Sequence, residues 1–577
     1  MVMKYDIFFL TFCFCCVSTN VKAQLSTNEQ PISYSLKSSM VEEVKNLTPS
    51  IILPKLDMAK IEAEDREDEE YDMPPRFGYQ HFVNYDLKNS GIWYKLPNGD
   101  KVWQFNVICP DALSVNFCYD KFWIPEGGKF FVYSKDRKYS IGAFTNKNNK
   151  GSKEENRGFA TGLIYSNDVI LEYYQPKTAT SDAIISIDYV VHGYRHIRIG
   201  EKFYGDGGSC MVNVNCEEGQ NWQNEKRAVA LILVNGNRYC TGSLINTTDF
   251  SQKPYLLTAN HCLGEWANND IQHDATYLPD LDYYSFWWNY EESGCTNTVE
   301  PNHFTTSGAT ILANNSVSDF ALLRLWEDPK DIVGYTPYYL GWDRTGQSGN
   351  PGVCIHHPKG DVKKVSTVYS CPVSTNYIGY SEIPSANHWK VIWDSTLNGH
   401  STTQGGSSGS PLLTSTHKVI GQLHGGYADC GDSINAPDWY GKFDVSWGGD
   451  GNYNNYRRLN CWLDSANTSV TSLEGLLVVS SSFTMDTDTQ VYGNILITNT
   501  GTLTIQSDIE LMGNSSVIVE SGGCLIVDGG TLTNVDVILK EGASLQITHN
   551  GTIEIRETFD AQIGAMVDIV YGKIIQN

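Results

Sequence analysis

From Phe77 onward the chain alternates short apolar runs with clusters of turn-forming residues. GIWYKLPNGDKVWQFNVI, KFFVYS and VILEYY are rich in aromatic and β-branched residues, and PNGD and PEGG punctuate them. Short strands at that spacing predict a β-sandwich over 78–202. A different rhythm begins after 475. Apolar triplets at ILI (495–497), LTI (503–505), VIV (517–519), LIV (525–527), VIL (537–539), LQI (545–547) and IEI (553–555) are separated by Gly, Asn, Asp and Ser. The starts at 495, 517 and 537, and those at 503, 525 and 545, recur every 22 and then 20 residues. A single coil of that size cannot bury its apolar face alone, so stacked coils, a β-solenoid, are expected over 476–577. A β-sandwich is the alternative topology. The polar stretch 467–475 reads as a linker in front of it.

The N-terminus reads as an address. Lys4 precedes the apolar run IFFLTFCFCCV (7–17), and Val21 and Ala23 stand three and one residues before a cleavage point at Gln24. Residues 1–23 are therefore expected to be a secretory signal peptide. In the leader 24–77, EAEDREDEEYD (62–72) holds eight acids against one Arg, a block expected to be solvated and disordered.

Composition narrows the function. With 42 Lys+Arg against 66 Asp+Glu the chain carries a formal charge of −24. That excludes a general nucleic-acid binder, which needs clustered cations, and favours cationic partners. No apolar run approaches the ~20 residues that span a bilayer, so no transmembrane segment is expected. Three of the 15 cysteines lie in the signal run. The even dozen left in an exported chain, with no CxxC pair, predicts disulfides rather than metal sites. Cys109 and Cys118 flank one turn and are expected to pair.

Three motifs in 203–466 carry chemistry: LLTANHC with His261, SDFALLRL with Asp319, and GGSSGSPLL with Ser408. A serine hydroxyl needs an imidazole to take its proton, and the imidazole needs a carboxylate to hold its tautomer. Glycines around the serine let backbone amides converge on an oxyanion, here those of Gly406 and Ser408. Each motif alone is weak, but together they run His, Asp, Ser, spaced by 58 and 89 residues. That chain order is the one of the chymotrypsin group. His356-His357 reads as structural, since no spaced Cys, Asp or Glu completes a metal site. Trp287-Trp288 reads as one core and one surface face of a strand.

The segment 205–466 resembles the bacterial secreted lysyl endopeptidases, chymotrypsin-like serine proteases, through GSC (208–210), CTGSLIN (240–246), LLTANHC (256–262), SDFALL (318–323), GWDR (341–344), IHHP (355–358), GSSGSP (406–411), GQLHGG (421–426) and DWYGK (438–442). The resemblance implies an all-β double barrel with its active site between barrels, and His261, Asp319 and Ser408 as base, orienting carboxylate and nucleophile. It implies that 24–202 is a propeptide, a folding aid or inhibitor. It also implies the disulfides Cys210–Cys430, Cys216–Cys295 and Cys240–Cys262. Cys354 and Cys371 have no counterpart in that pattern and are expected to form an extra bridge.

The expected activity is therefore a secreted serine endopeptidase acting on protein or peptide substrates, most simply after Lys, with no cofactor and no metal. The position six before Ser408, where trypsin-like pockets hold Asp, is Thr402. The resemblance puts the pocket anion at Asp438 instead. It puts His424 beside the pocket, with Tyr380, eight residues before His388, where the family has Trp. The alternatives are a glutamyl endopeptidase that uses His424 in its pocket, and a catalytically idle, protease-shaped adhesin. Self-cleavage between Lys202 and Phe203 is the expected maturation step, and the C-terminal repeats are a candidate for cell-surface attachment.

Overall fold

The computed structural model describes residues 29–35, 50–70, 73–195, 198–199, 203–204, 207–268, 280–297, 301, 303–350, 352–382, 386–449 and 454–576. The expected signal peptide (1–23) and Lys202 lie outside them. No helix among the described residues is long and apolar enough to cross a membrane.

The aromatic strands of the first third form two facing sheets. In one, Lys101–Ile108 lies between Asp168–Gln175 and the hairpin strand Ile92–Lys95. In the other, Ile184–Gly193 lies between Gly78–Asp86 and Ser114–Trp123. Inward residues of both, Phe105, Leu171, Phe117 and Ile187 among them, make one core. This is the expected sandwich, and Ser50–Ile52 joins it in parallel with Asn106–Ile108.

Two expectations fail here. The acidic block is not disordered: Met58–Glu70 is an α-helix. Its self-repulsion is offset by arginines, Arg76 on Glu64 and Asp65, Arg195 on Asp65, and Arg238 on Asp68. Cys109 and Cys118 are both free thiols. Cys109 points into the sandwich core, whereas Cys118 points out of it, towards the next domain.

That next domain begins with a closed six-stranded antiparallel barrel made by Val229–Val234, Arg238–Leu244, Tyr255–Ala259, Phe320–Leu325, Phe304–Asn315 and Asp280–Trp288. A ten-stranded sheet follows, including Val353–His356, Pro411–Leu413, Lys418–Gly426, Asp438–Lys442 and His388–Val391. Trp288 fills the barrel core as expected. Trp287 is not on the surface: it is 1% exposed and packs with Leu231 and Leu233 against Phe77, Cys118, Tyr189 and Val191. Sandwich and barrel thus share an apolar interface.

The triplets after 475 stack as the period predicts. Ile495 pairs in parallel with Val517, and Val517 with Val537; Leu503 pairs with Leu525, and Leu525 with Leu545. Each rung puts like residues over like, so the interior of this β-solenoid is continuous aliphatic side chain. The stretch 467–475 is not a free linker. Ser472–Leu473 pairs with Trp342–Asp343, and Arg344 N donates to Thr471 O at 2.9 Å. The first solenoid strand, Gly475–Val479, then pairs with Tyr338–Tyr339.

Candidate functional site

The barrel strand Tyr255–Ala259 runs into His261, and Phe320–Leu325 follows Asp319; the two strands pair side by side, so residues 58 apart in sequence meet at their ends. Asp319 Oδ2 lies 2.8 Å from His261 Nδ1, and Asp319 Oδ1 accepts from the His261 amide at 3.0 Å. One carboxylate holds both ring and backbone. Burial works against the charge of Asp319, but His424, His261 and the hydrogen bonds from His261 outweigh it, and the carboxyl sits below its ordinary range.

Ser408 comes from the ten-stranded sheet and is pinned to the barrel: its carbonyl accepts from Thr241 N at 2.8 Å. Next to Thr241, the Cys240–Cys262 disulfide brings the residue after His261 to the same place, with Cys262 Sγ 3.8 Å from Ser408 O. The turn before the serine is set by Ser407 N donating to Gln404 O (2.9 Å) and by Gly406 at φ +96°. A side chain at Gly406 would be strained there, as only glycine occupies that region freely. Among the described residues, the amides of Gly406 and Ser408 donate to no protein acceptor, so both are available to a developing negative charge. His356 braces this turn from below: its two nitrogens meet Ser407 Oγ (2.7 Å) and Ser366 Oγ (3.0 Å). Burial drives its pKa down to about 3, so it is a neutral structural ring.

Asp438 is buried and begins the strand Asp438–Lys442, opposite Gly426. Trp393 Nε1 and Thr403 Oγ1 donate to its Oδ2 at 2.7 and 2.6 Å, and the Ala428 amide to its Oδ1 at 3.2 Å. Burial pushes the carboxyl up to about 6 against those three donors. A Cβ at Gly426 would lie 2.1 Å from Asp438 Oδ1, so glycine is required at this close approach. No cation of the described residues pairs with Asp438.

His424 faces Asp319. Its ring stacks on Tyr377, centroids 3.6 Å apart and planes 5° apart. Its Nδ1 lies 2.9 Å from His388 Nε2, and its Nε2 3.7 Å from Asp319 Oδ2. The expected partner Tyr380 is therefore displaced by Tyr377. Tyr380 is 62% exposed and meets Trp439 edge-on. Counting residues cannot see the loop between them fold Tyr377 inward. His388, Trp393 and Thr403 were also missed as site residues, because their roles arise only from contacts between distant segments, whereas His356 is structural as expected.

The disulfides Cys210–Cys430, Cys216–Cys295 and Cys240–Cys262 are formed. Cys354 and Cys371 are not bridged. Cys354 is buried in a cluster with Trp389 and Tyr440, 3.1 Å from Ser410 Oγ, while Cys371 is exposed on the loop before Val373. His261, Asp319 and His424 bring three ligand-type atoms within 4.8 Å. An ion there would break the 2.8 Å His261–Asp319 contact.

A family model described as the lysyl endopeptidase C-terminal domain matches residues 204–441. The lysyl endopeptidase of Pseudomonas aeruginosa is 30% identical over 241 residues, covering 40% of this chain and 47% of that protein. Residues 204–441 carry the likeness to the lysyl endopeptidase family. The secreted RxLR effector protein 73 of Plasmopara viticola is 23% identical over 297 residues, covering 47% of this chain and 65% of that protein. The chain thus spans less than two thirds of the length of either curated relative. Among solved structures, a Glu endopeptidase aligns with TM-score 0.22 and 18% identity over 38% of this chain and 85% of that one. The thermostable serine protease AL20 aligns with TM-score 0.25 and 13% identity over 43% of this chain and all of that one. The matched segment holds all the site residues described above.

Proposed function

We propose that this chain is the exported precursor of a serine endopeptidase that hydrolyses peptide bonds on the carboxyl side of Lys. The observation that carries this reading is the pairing of His261 with Asp319, together with a separate buried carboxylate, Asp438, that pairs with no cation among the described residues. Ser408 Oγ attacks the carbonyl carbon while His261 Nε2 takes its proton. The oxyanion forms against the Gly406 and Ser408 amides. His261 then returns the proton to the leaving amine, and water repeats the cycle on the acyl-enzyme. A buried, unpaired carboxylate in the pocket favours a cationic substrate side chain over any other.

The glutamyl alternative needs His424 as the pocket cation. Both nitrogens of His424 face other groups, His388 and Asp319, which favours the lysyl reading. The sandwich, docked over Trp287, is read as an inhibitory or assisting propeptide, released by a cut after Lys202. The solenoid is read as an accessory module that stays with the protease, since its entry strands pair with it, and as a means of cell-surface attachment.

The test is hydrolysis of matched peptides with Lys, Arg, Glu or Phe before the scissile bond. Cleavage after Lys, lost in Ser408→Ala, is expected. Cleavage after Glu would overturn the pocket assignment, and no cleavage by chain already cut near Lys202 would leave the idle adhesin.

A further inference from the structure

The segment after the acidic helix runs along the barrel edge beside Ser408. Tyr239 N donates to Pro75 O at 3.2 Å and Phe77 N to Asn237 O at 2.9 Å, with Arg76 bridged antiparallel to Arg238. Two residues further along the same strand, Thr241 N donates to Ser408 O at 2.8 Å. Alternate residues of a strand present their amides to one edge, about 7 Å apart. Pro75 therefore sits one such step from the serine. It also touches the turn before it: a Cβ on Gly405 would lie 2.6 Å from Pro75 Cγ. Asp438 belongs to the opposite half of the cleft, in the ten-stranded sheet. With the residue before the scissile bond held at Asp438, the residues after it leave across Tyr239 and Arg238, where Pro74–Phe77 now lies.

Arg238 shows what that side of the cleft recognises. Its guanidinium donates to Pro74 O at 2.7 Å and pairs with Asp68 at 2.6 Å, and only 16% of the side chain is exposed. Among the described residues Asp68 is its one acidic partner. When the leader departs, a half-desolvated planar fork is left without an anion, and such a fork binds a carboxylate in preference to a neutral group.

We propose that Arg238 and the Tyr239 amide form a subsite for the substrate residues that follow the cut bond, that Arg238 selects a carboxylate side chain two or three residues beyond it, and that Pro74–Phe77 with Asp68 fills this subsite in the intact chain. The proposal rests on the serine endopeptidase reading of the same cleft.

The test uses the full chain carrying Ser408→Ala, Asp68→Asn, Pro74→Gly, Pro75→Gly and Arg76→Gly, so that nothing is cut, the leader's anion is gone and the strand that fills the subsite is loosened. Two fluorescent peptides are compared by anisotropy, identical except for Glu or Gln at the second residue after a Lys. The Glu peptide should bind about tenfold tighter, as one charge-assisted pair allows. It should bind more weakly to the chain that keeps Asp68. The preference should vanish in Arg238→Gln and return in part in Arg238→Lys, which controls for misfolding. Equal affinity for both peptides, or binding of neither by the loosened chain, overturns the proposal. Hydrolysis of a lysine anilide by the chain that retains Ser408 has no residue after the bond. Its absence would reject the protease reading while leaving the anisotropy comparison intact.

Discussion

Tyr377 lies flat on His424 at 3.6 Å, and His424 in turn faces the carboxylate that holds His261. The stack fixes the His424 ring without using either of its nitrogens, which go to His388 and Asp319. Tyr377→Ala should free that ring and lower kcat/KM on a Lys peptide about tenfold, within the range that one positioning group supplies. Tyr377→Phe should keep the stack and the activity. Tyr380→Ala, at an exposed edge, should change kcat/KM less than about twofold. Equal losses at both tyrosines would reject this division of labour.

Asp438 has its carboxyl raised to about 6, so in the folded protein it gains its proton as pH falls through that value. For a Lys substrate KM should rise below pH about 6, with a second fall in kcat following His261. Asp438→Asn should lose Lys preference by a factor of 10² or more, of the order that an unpaired buried charge commands, and should lack the KM transition. Stability runs the other way. A carboxyl raised above its unfolded value binds its proton more tightly in the folded state, so the folded state loses stability as pH rises from about 4 to about 6. Asp438→Asn should lack this pH dependence, because it carries no titrating group there. Urea unfolding of both chains at pH 4 and 7 checks the sign.

Asp319→Asn keeps the volume of the side chain but presents a donor where His261 Nδ1–H needs an acceptor. Turnover should drop by about 10⁴, with KM little changed. The same variant should show His261 in the other tautomer by ring nitrogen NMR shifts. A drop of tenfold or less would mean that another acceptor orients His261.

Without reduction, a maleimide should label Cys371 on the folded chain and leave Cys354, Cys109 and Cys118 unmodified, since those three thiols are buried. Burial also raises all three to about 12, far from the thiolate form. Replacing both Cys240 and Cys262 by Ala should cost about 2–4 kcal/mol of stability. It should also cost activity, because the bridge abuts both His261 and Ser408.

His417 of the protease half is clamped between Trp222, at 4.1 Å, and Tyr492 of the solenoid, at 3.6 Å. Tyr492→Ala removes one side of that clamp and leaves the Tyr338 hydroxyl its acceptor, the main-chain carbonyl of residue 492. It should lower the midpoint of thermal unfolding by several degrees and make the solenoid easier to clip by an added protease. An unchanged midpoint and clipping pattern would show that strand pairing alone holds the module.

The sequence by itself determined the parts whose physics is local or periodic. LLTANHC, SDFALLRL and GGSSGSPLL each carry their own turn or strand, so His261, Asp319 and Ser408 stood out as candidates before any fold was known, and the structure pairs the first two. The stacking of Ile495, Val517 and Val537 followed the period of 22 and then 20 residues, and parallel pairing decided for the solenoid over the sandwich. Tertiary structure decided what depends on distant partners. The acidic helix exists because Arg76, Arg195 and Arg238 come to it from three separate segments. Cys109 and Cys118 stay apart because one faces the sandwich core and the other the barrel. Trp287 is buried because a second domain covers it, and Tyr377 rather than Tyr380 meets His424 because a loop closes between them. None of these contacts leaves a periodic or compositional trace. A charge, a thiol or an aromatic ring reads the same along the chain whether solvent or another segment faces it.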